Sequence, residues 1–112
     1  MNISILLPYK ENYSSNYPGA VSIFISSVIK KSIYKKNITV YGSTNFKNFL
    51  SKNYINIKLN RNIFLSQTKT YLENFKKLLK TKKTDLIEIH NRPNYVRFLA
   101  DLKKKNNIIF SQ

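Results

Sequence analysis

Cysteine and tryptophan are missing from the 112 residues; glycine occurs twice, proline three times and histidine once. Without cysteine there is no disulfide framework and no thiolate chemistry. One histidine without clustered carboxylates offers no metal site. Two glycines cannot spell the GxGxxG fingerprint of ordinary dinucleotide binding. Acidic residues are also few, five against twenty lysines and arginines. The longest apolar stretch, Ala20 to Ile29, is interrupted by serines and falls far short of the roughly 20 residues that span a bilayer. The N-terminus has neither the basic region nor the small-residue cleavage site of a signal peptide.

What is present is a chain that is 42% hydrophobic, enough for one small globular domain over residues 1–112. The formal net charge is +15. A balance of that kind points to nucleic acid or an anionic membrane as partner. It is also what an AT-rich genome writes on any surface, because the charge is mostly lysine amid many asparagines and isoleucines. Arginine, which forks onto phosphate or guanine, is limited to Arg61, Arg92 and Arg97.

The chain alternates between two periodicities. Ile3 to Leu7 reads as a first strand ended by Pro8. Tyr9 to Gly19 is a long polar loop. Ala20 to Tyr34 reads as a helix with Val21, Phe24, Ile25, Val28 and Ile29 on its inner stripe. Ile38 to Tyr41 is a second strand, Phe46 to Leu50 a helical turn, and Ile55 to Leu59 a third strand at an edge. A helix follows from Ser66 or Thr70 to Lys80, with Thr70 and Glu73 at capping-box spacing. Leu86 to Ile89 is a buried fourth strand. Pro93 opens another helix, lined by Tyr95, Phe98, Leu99 and Leu102 and ending in Lys103 to Lys105; Ile108 to Phe110 begins a fifth strand. This alternation predicts an α/β fold: a three-layer, Rossmann-like domain with a parallel sheet in the order 3-2-1-4-5.

In such sheets ligands bind outside the carboxyl ends of the strands, at the switch point. His90, Asn91 and Arg92 follow strand four at that position. His90 suits a sugar hydroxyl or a general base, against a structural role in capping the next helix. Arg92 suits an anion, against a salt bridge to Asp85, Glu88 or Asp101. Pro18, Gly19 and Ala20 precede the first helix, where a glycine leaves room for ligand at the helix start. Lys10 and Glu11 are more ordinary as a solvated loop pair.

Ile3-Ser4-Ile5-Leu6-Leu7-Pro8-Tyr9-Lys10-Glu11-Asn12, then Pro18-Gly19-Ala20-Val21-Ser22, then Leu86-Ile87-Glu88-Ile89-His90-Asn91-Arg92-Pro93 resemble the N-terminal half of a family-four-like GT-B glycosyltransferase. The resemblance implies the acceptor-side domain of an enzyme that moves a sugar from a nucleotide-sugar, in envelope polysaccharide or lipopolysaccharide assembly. By that similarity His90 is the catalytic position, and Pro18, Gly19, Ala20, Asn91 and Arg92 bind substrate. No cofactor or metal is implied; the nucleotide-sugar is a substrate of the full enzyme. The implied partners are a sugar or lipid-linked acceptor, a separate C-terminal donor-binding half, and an anionic membrane touched peripherally from the cytoplasmic side. The 112 residues have no counterpart of the donor half, so the chain alone is expected to be inactive. The rival reading is a small basic binding module for nucleic acid or an anionic membrane surface. Tyrosines beside lysines, in Tyr9 to Tyr17 and Ser32 to Lys36, suit base stacking. No RRM, KH or helix-turn-helix signature supports a specific nucleic-acid partner. A response-regulator-like or flavodoxin-like domain lacks its acidic cluster or its phosphate loop. A continuous basic face separates a binding module from scattered compositional lysine.

Overall fold

The computed structural model describes residues 1–59 and 66–102 and the backbone of 109–111. Its elements are β1 (Ile3–Leu6), α1 (Ala20–Lys31), β2 (Ile38–Gly42), β3 (Tyr54–Asn56), α2 (Gln67–Leu79), β4 (Leu86–Ile89), α3 (Pro93–Phe98) and β5 (Ile109–Ser111). The strands form a parallel sheet in the order β3-β2-β1-β4, as the alternation predicts. The backbone of β5 pairs parallel with the outer side of β4. Among the described residues no helix is long and apolar enough to cross a membrane.

β1 is the middle of the sheet, with Ser4 opposite both Thr39 and Ile87, and Leu6 opposite both Tyr41 and Ile89. Successive side chains on a strand point to opposite faces. Leu6, Tyr41, Ile87 and Ile89 therefore share one face, where Tyr71, Leu72, Phe75 and Leu79 of α2 and Tyr95 of α3 pack on them. Ile5, Leu7, Ile38 and Val40 share the other, under Ile25 and Ile29 of α1. Burial on both faces is what a parallel sheet requires, and it explains why these strands read as near-continuous apolar runs.

Polar groups close the ends. Asn2 and Asp85 tie the starts of β1 and β4: the Asn2 N–H donates to the Asp85 carboxylate at 2.8 Å, and the Asp85 N–H returns to the Asn2 carbonyl at 2.8 Å. The hydroxyls of Ser4 and Thr84 meet beneath the sheet at 2.8 Å. At the other end, the buried Tyr71 hydroxyl donates to the Leu7 carbonyl at 2.7 Å.

Four local expectations are corrected. The buried stripe of α1 is Ser22, Ile25, Ser26 and Ile29, so Phe24 and Val28 face outward. Phe46 to Leu50 forms no helical turn; Phe49 instead bridges to Ser14. β3 occupies Tyr54–Asn56 rather than Ile55 to Leu59. The α2 cap is Ser66, whose hydroxyl accepts the Lys69 N–H at 3.1 Å, so Thr70 lies inside the helix, bonded to the Ser66 carbonyl. Arg61, the lysines at 103–105 and the expected strand start at Ile108 lie outside the described residues.

Burial holds the Tyr71 hydroxyl well above its ordinary pKa, with the neighbouring Tyr95 and Tyr54 adding to the effect. The neutral phenol is the form the fold accepts. Its contribution is therefore complete below about pH 10 and is lost as pH rises toward the folded value. Tyr71→Phe is expected to cost about 1–3 kcal/mol at neutral pH by stranding a buried carbonyl. Above about pH 10 the variant should lose stability less steeply than the parent, by about 1.4 kcal/mol per pH unit. Urea unfolding from pH 7 to 11.5 measures both, and equal slopes would refute the assignment.

Candidate functional site

The strands of this sheet all end at one edge, and the long loop from Pro8 to Gly19 runs across it. Its conformation is set by two residues. Glu11 reaches the start of α1, where its Oε2 accepts the Ser22 N–H at 3.0 Å and the Ser22 hydroxyl at 2.7 Å. A carboxylate at a helix N-terminus satisfies a free N–H and complements the helix dipole. Glu11 is thus the cap of α1 rather than a solvated loop charge.

Asn12 holds the loop from within. Its amide donates to the carbonyls of Asn16 at 2.7 Å and Tyr17 at 2.6 Å, while its own backbone carbonyl accepts the Gly19 N–H at 3.1 Å. Tyr17 and Lys10 are held at positive φ, 54° and 69°.

Gly19 is the N-cap of α1, with an ordinary extended backbone, φ −73° and ψ 160°. No left-handed conformation explains the glycine; space does. A Cβ there would stand 1.9 Å from Glu11 Oε2. The room expected for a ligand at this helix start is taken by the protein's own carboxylate.

His90 follows β4 on the α1 side of the sheet. Its ring meets Phe24 edge-on, at 6.3 Å and 71°, more than a turn into α1 from Gly19. Its Nε2 is buried without a hydrogen-bond partner among the described residues, and Glu88 Oε1 stands 3.6 Å away. Asn91 takes a left-handed φ of 53°, which lets the chain turn sharply into Pro93, the first residue of α3. Arg92 bends back to donate to the Asn91 carbonyl at 2.8 Å and is exposed. Among the described residues its guanidinium forms no ion pair with Asp85, Glu88 or Asp101.

A concavity at this edge lies on the other side of β1. A cleft of about 690 Å³ opens over the ends of β1, β2 and β3, lined by Tyr9, Lys10, Asn12, Thr44, Asn56, Lys58 and Gln67 among others. Its walls are pre-arranged. Asn56 accepts the Thr44 N–H at 2.9 Å through its side-chain oxygen and donates to the Thr44 carbonyl at 3.2 Å. The Tyr54 hydroxyl donates to the same Asn56 oxygen at 2.9 Å. The Thr44 hydroxyl bonds Asn12, joining the cleft to the loop. Tyr9 bridges the two halves of the edge: its N–H donates to the Tyr95 hydroxyl of α3 at 2.9 Å, and its own hydroxyl bonds Gln67 of α2.

Position beyond a strand end picked out His90 to Arg92. The same signal holds for Thr44, after the Gly42-Ser43 stop, where an uncharged polar residue looks like ordinary turn chemistry. Asn56 and Lys58 gave no such signal, because both lie inside the segment that reads as the third strand, and the structure ends β3 at Asn56. The described residues hold no group of three or more His, Cys, Asp or Glu suited to a metal. No family model, curated protein or solved structure matches the chain.

Glu11 and Gly19 form one unit, which a double-mutant cycle exposes. Gly19→Ala suits the backbone, so its cost is the displacement of Glu11 from Ser22, about 0.5–2 kcal/mol for a lost cap. In a Glu11→Ala background Gly19→Ala should cost close to nothing, giving a coupling of the same size as the single effect. Thermal or urea unfolding of the four proteins checks it; equal costs in both backgrounds would contradict the capping role.

Proposed function

We propose that this chain is the acceptor-side half of a GT-B glycosyltransferase, a Rossmann-like domain that holds a glycan or lipid-linked acceptor for transfer from a nucleotide-sugar. The observation that carries the proposal is the polar cleft at the carboxyl edge of the parallel sheet. That edge is where open α/β sheets bind ligands. Its walls set amide, hydroxyl and ammonium groups beside the apolar side chains of Phe46, Ile57 and Leu59. Such a lining matches a ligand rich in hydroxyls, each of which donates and accepts.

In this proposal the acceptor lies along the edge from the cleft, across Tyr9, to the end of β4. Lys10, Lys58 and Gln67 supply direct contacts, while Asn12, Thr44 and Asn56 keep the walls in place. His90 is the catalytic position. Its unsatisfied Nε2 gains a partner if the ring turns from Phe24 toward a sugar hydroxyl, and nearby Glu88 would stabilise the imidazolium formed when it takes a proton. Asn91 and Arg92 contact substrate through the exposed turn. Pro18, Gly19 and Ala20 shape the loop that borders it, with Gly19 acting through Glu11. The donor is held by a second half, so transfer needs both.

Chemical-shift mapping with a panel of sugars and nucleotide-sugars tests the proposal. Perturbations are expected at Lys10, Thr44, Asn56, Lys58 and His90, with millimolar affinity from half a site. Lys58→Ala and His90→Ala should each weaken binding by about 0.5–1.5 kcal/mol, one hydrogen bond apiece. Perturbations clustered away from this edge would remove the proposal.

A further inference from the structure

α1 carries its outward face in an unusual state. Ile23 is 51% exposed, Phe24 60% and Val28 50%, and beyond the helix Ile33 is 89% and Tyr34 44% exposed. The buried side of the same helix includes Ser22 and Ser26. Ile23, Phe24 and Val28 point to solvent, while Ser22 and Ser26 join Ile25 and Ile29 toward the sheet. Single exposed apolar residues are ordinary, but five along one helix and its following turn form a surface.

Lysine frames that surface. Lys30 and Lys31 close α1, and Lys35 and Lys36 follow Ile33 and Tyr34; all four are exposed. No aspartate or glutamate occurs between Asn12 and Leu72. Glu11 is bonded to Ser22 at the start of α1, and Glu88 stands beside His90, whose ring meets Phe24. The combination is an apolar helix face continued by uncompensated lysines and an aromatic. That is the composition of a helix lying at a membrane interface: apolar side chains enter the acyl boundary, a tyrosine sits at headgroup level and lysines meet anionic headgroups.

We propose that α1 and the turn after it dock this protein on an anionic lipid bilayer. Phe24, Val28 and Ile33 insert, and Lys30, Lys31, Lys35 and Lys36 engage the headgroups. Nucleic acid fits the lysines but leaves the apolar residues unexplained, since a phosphate backbone needs no isoleucine or valine. The proposal stands on this face alone and does not depend on sugar transfer.

Vesicle flotation tests it with neutral phosphatidylcholine vesicles and with vesicles containing about one-third phosphatidylglycerol, a fraction chosen to resemble anionic leaflets. Binding is expected to the anionic vesicles and to fall with added salt. Lys→Gln at all four lysines should weaken it by at least about a hundredfold, from roughly fivefold per lysine. Phe24→Ser and Ile33→Ser should each weaken it by about tenfold. Both residues are largely exposed, and unchanged melting and circular dichroism would show that the fold persists. Because the chain has no tryptophan, Ile33→Trp gives a single reporter. Its fluorescence should be quenched by spin-labelled acyl chains in anionic vesicles, whereas a tryptophan at the exposed Tyr17 should not. Three outcomes would overturn the proposal: no vesicle binding, binding indifferent to Phe24→Ser and Ile33→Ser, or displacement from vesicles by equimolar RNA.

Discussion

The structure depends on β1 being covered from both sides. A parallel sheet tolerates solvent poorly, and β1, paired with β2 and β4 at once, has no edge to offer water. Leu6 faces α2 and α3 while Ile5 and Leu7 face α1, so two cores share one strand. The backbone at its end must also be satisfied. The Leu7 N–H donates to the Tyr41 carbonyl, and the Leu7 carbonyl accepts from Tyr71. With both ends of that peptide held, the chain leaves the sheet at a defined point. The positions of the 9–19 loop, Tyr9 and the cleft follow from it.

Carboxylates are scarce, and two of them work inside the fold. Glu11 caps α1, and Asp85 joins β4 to the start of β1. Glu11 is the last acidic residue before a long basic stretch, and it faces inward to a helix start. The same scarcity that makes Glu11 the fastener of the loop therefore leaves the outer surface of α1 without negative charge. Local structure and long-range electrostatics are coupled here through composition.

The sheet order was legible because parallel strands carry their own signal: short apolar runs ended by Pro8, Gly42 and the His90 turn, with helix-period segments between them. Strand β1 needed no more than Ile3 to Leu7. The inner face of α1 was legible in part: Ile25 and Ile29 are buried as the stripe predicts. Hydrophobicity alone placed Phe24 and Val28 inside as well, whereas Ser22, bonded to Glu11, and Ser26, bonded to the Ile23 carbonyl, hold that side with the two isoleucines. The α2 start was left between Ser66 and Thr70 because both fit, and backbone geometry selects Ser66 over the Thr70 capping box. Of the candidate site, the strand-end position of His90 was readable. The room at Gly19 was not, because the group that fills it comes from eight residues earlier. The cleft was missed because Asn12, Thr44 and Asn56 act as a mutually bonded set, and no single one of them stands out in sequence.

The basic end of α1 admits a structural explanation that must be separated from a functional one. Helix C-termini favour cations, so Lys30 and Lys31 on α1, like Lys76 and Lys77 on α2, stabilise the helices they close. Those lysines would be present whether or not anything bound them. The same explanation does not reach Ile33, Tyr34 or Phe24. Exposed apolar area gains nothing from a helix dipole and adds a liability to self-association in water. A genome rich in AT supplies isoleucine and lysine, but it does not choose which face of a helix carries them. On α2 the apolar residues Leu72, Phe75 and Leu79 are buried. On α1, Ser22 and Ser26 share the buried side with Ile25 and Ile29, while Phe24 and Val28 face outward. The contrast between two helices of one chain, under one composition, is what points to a surface partner. It identifies the apolar residues, rather than the charge, as the feature that distinguishes that face.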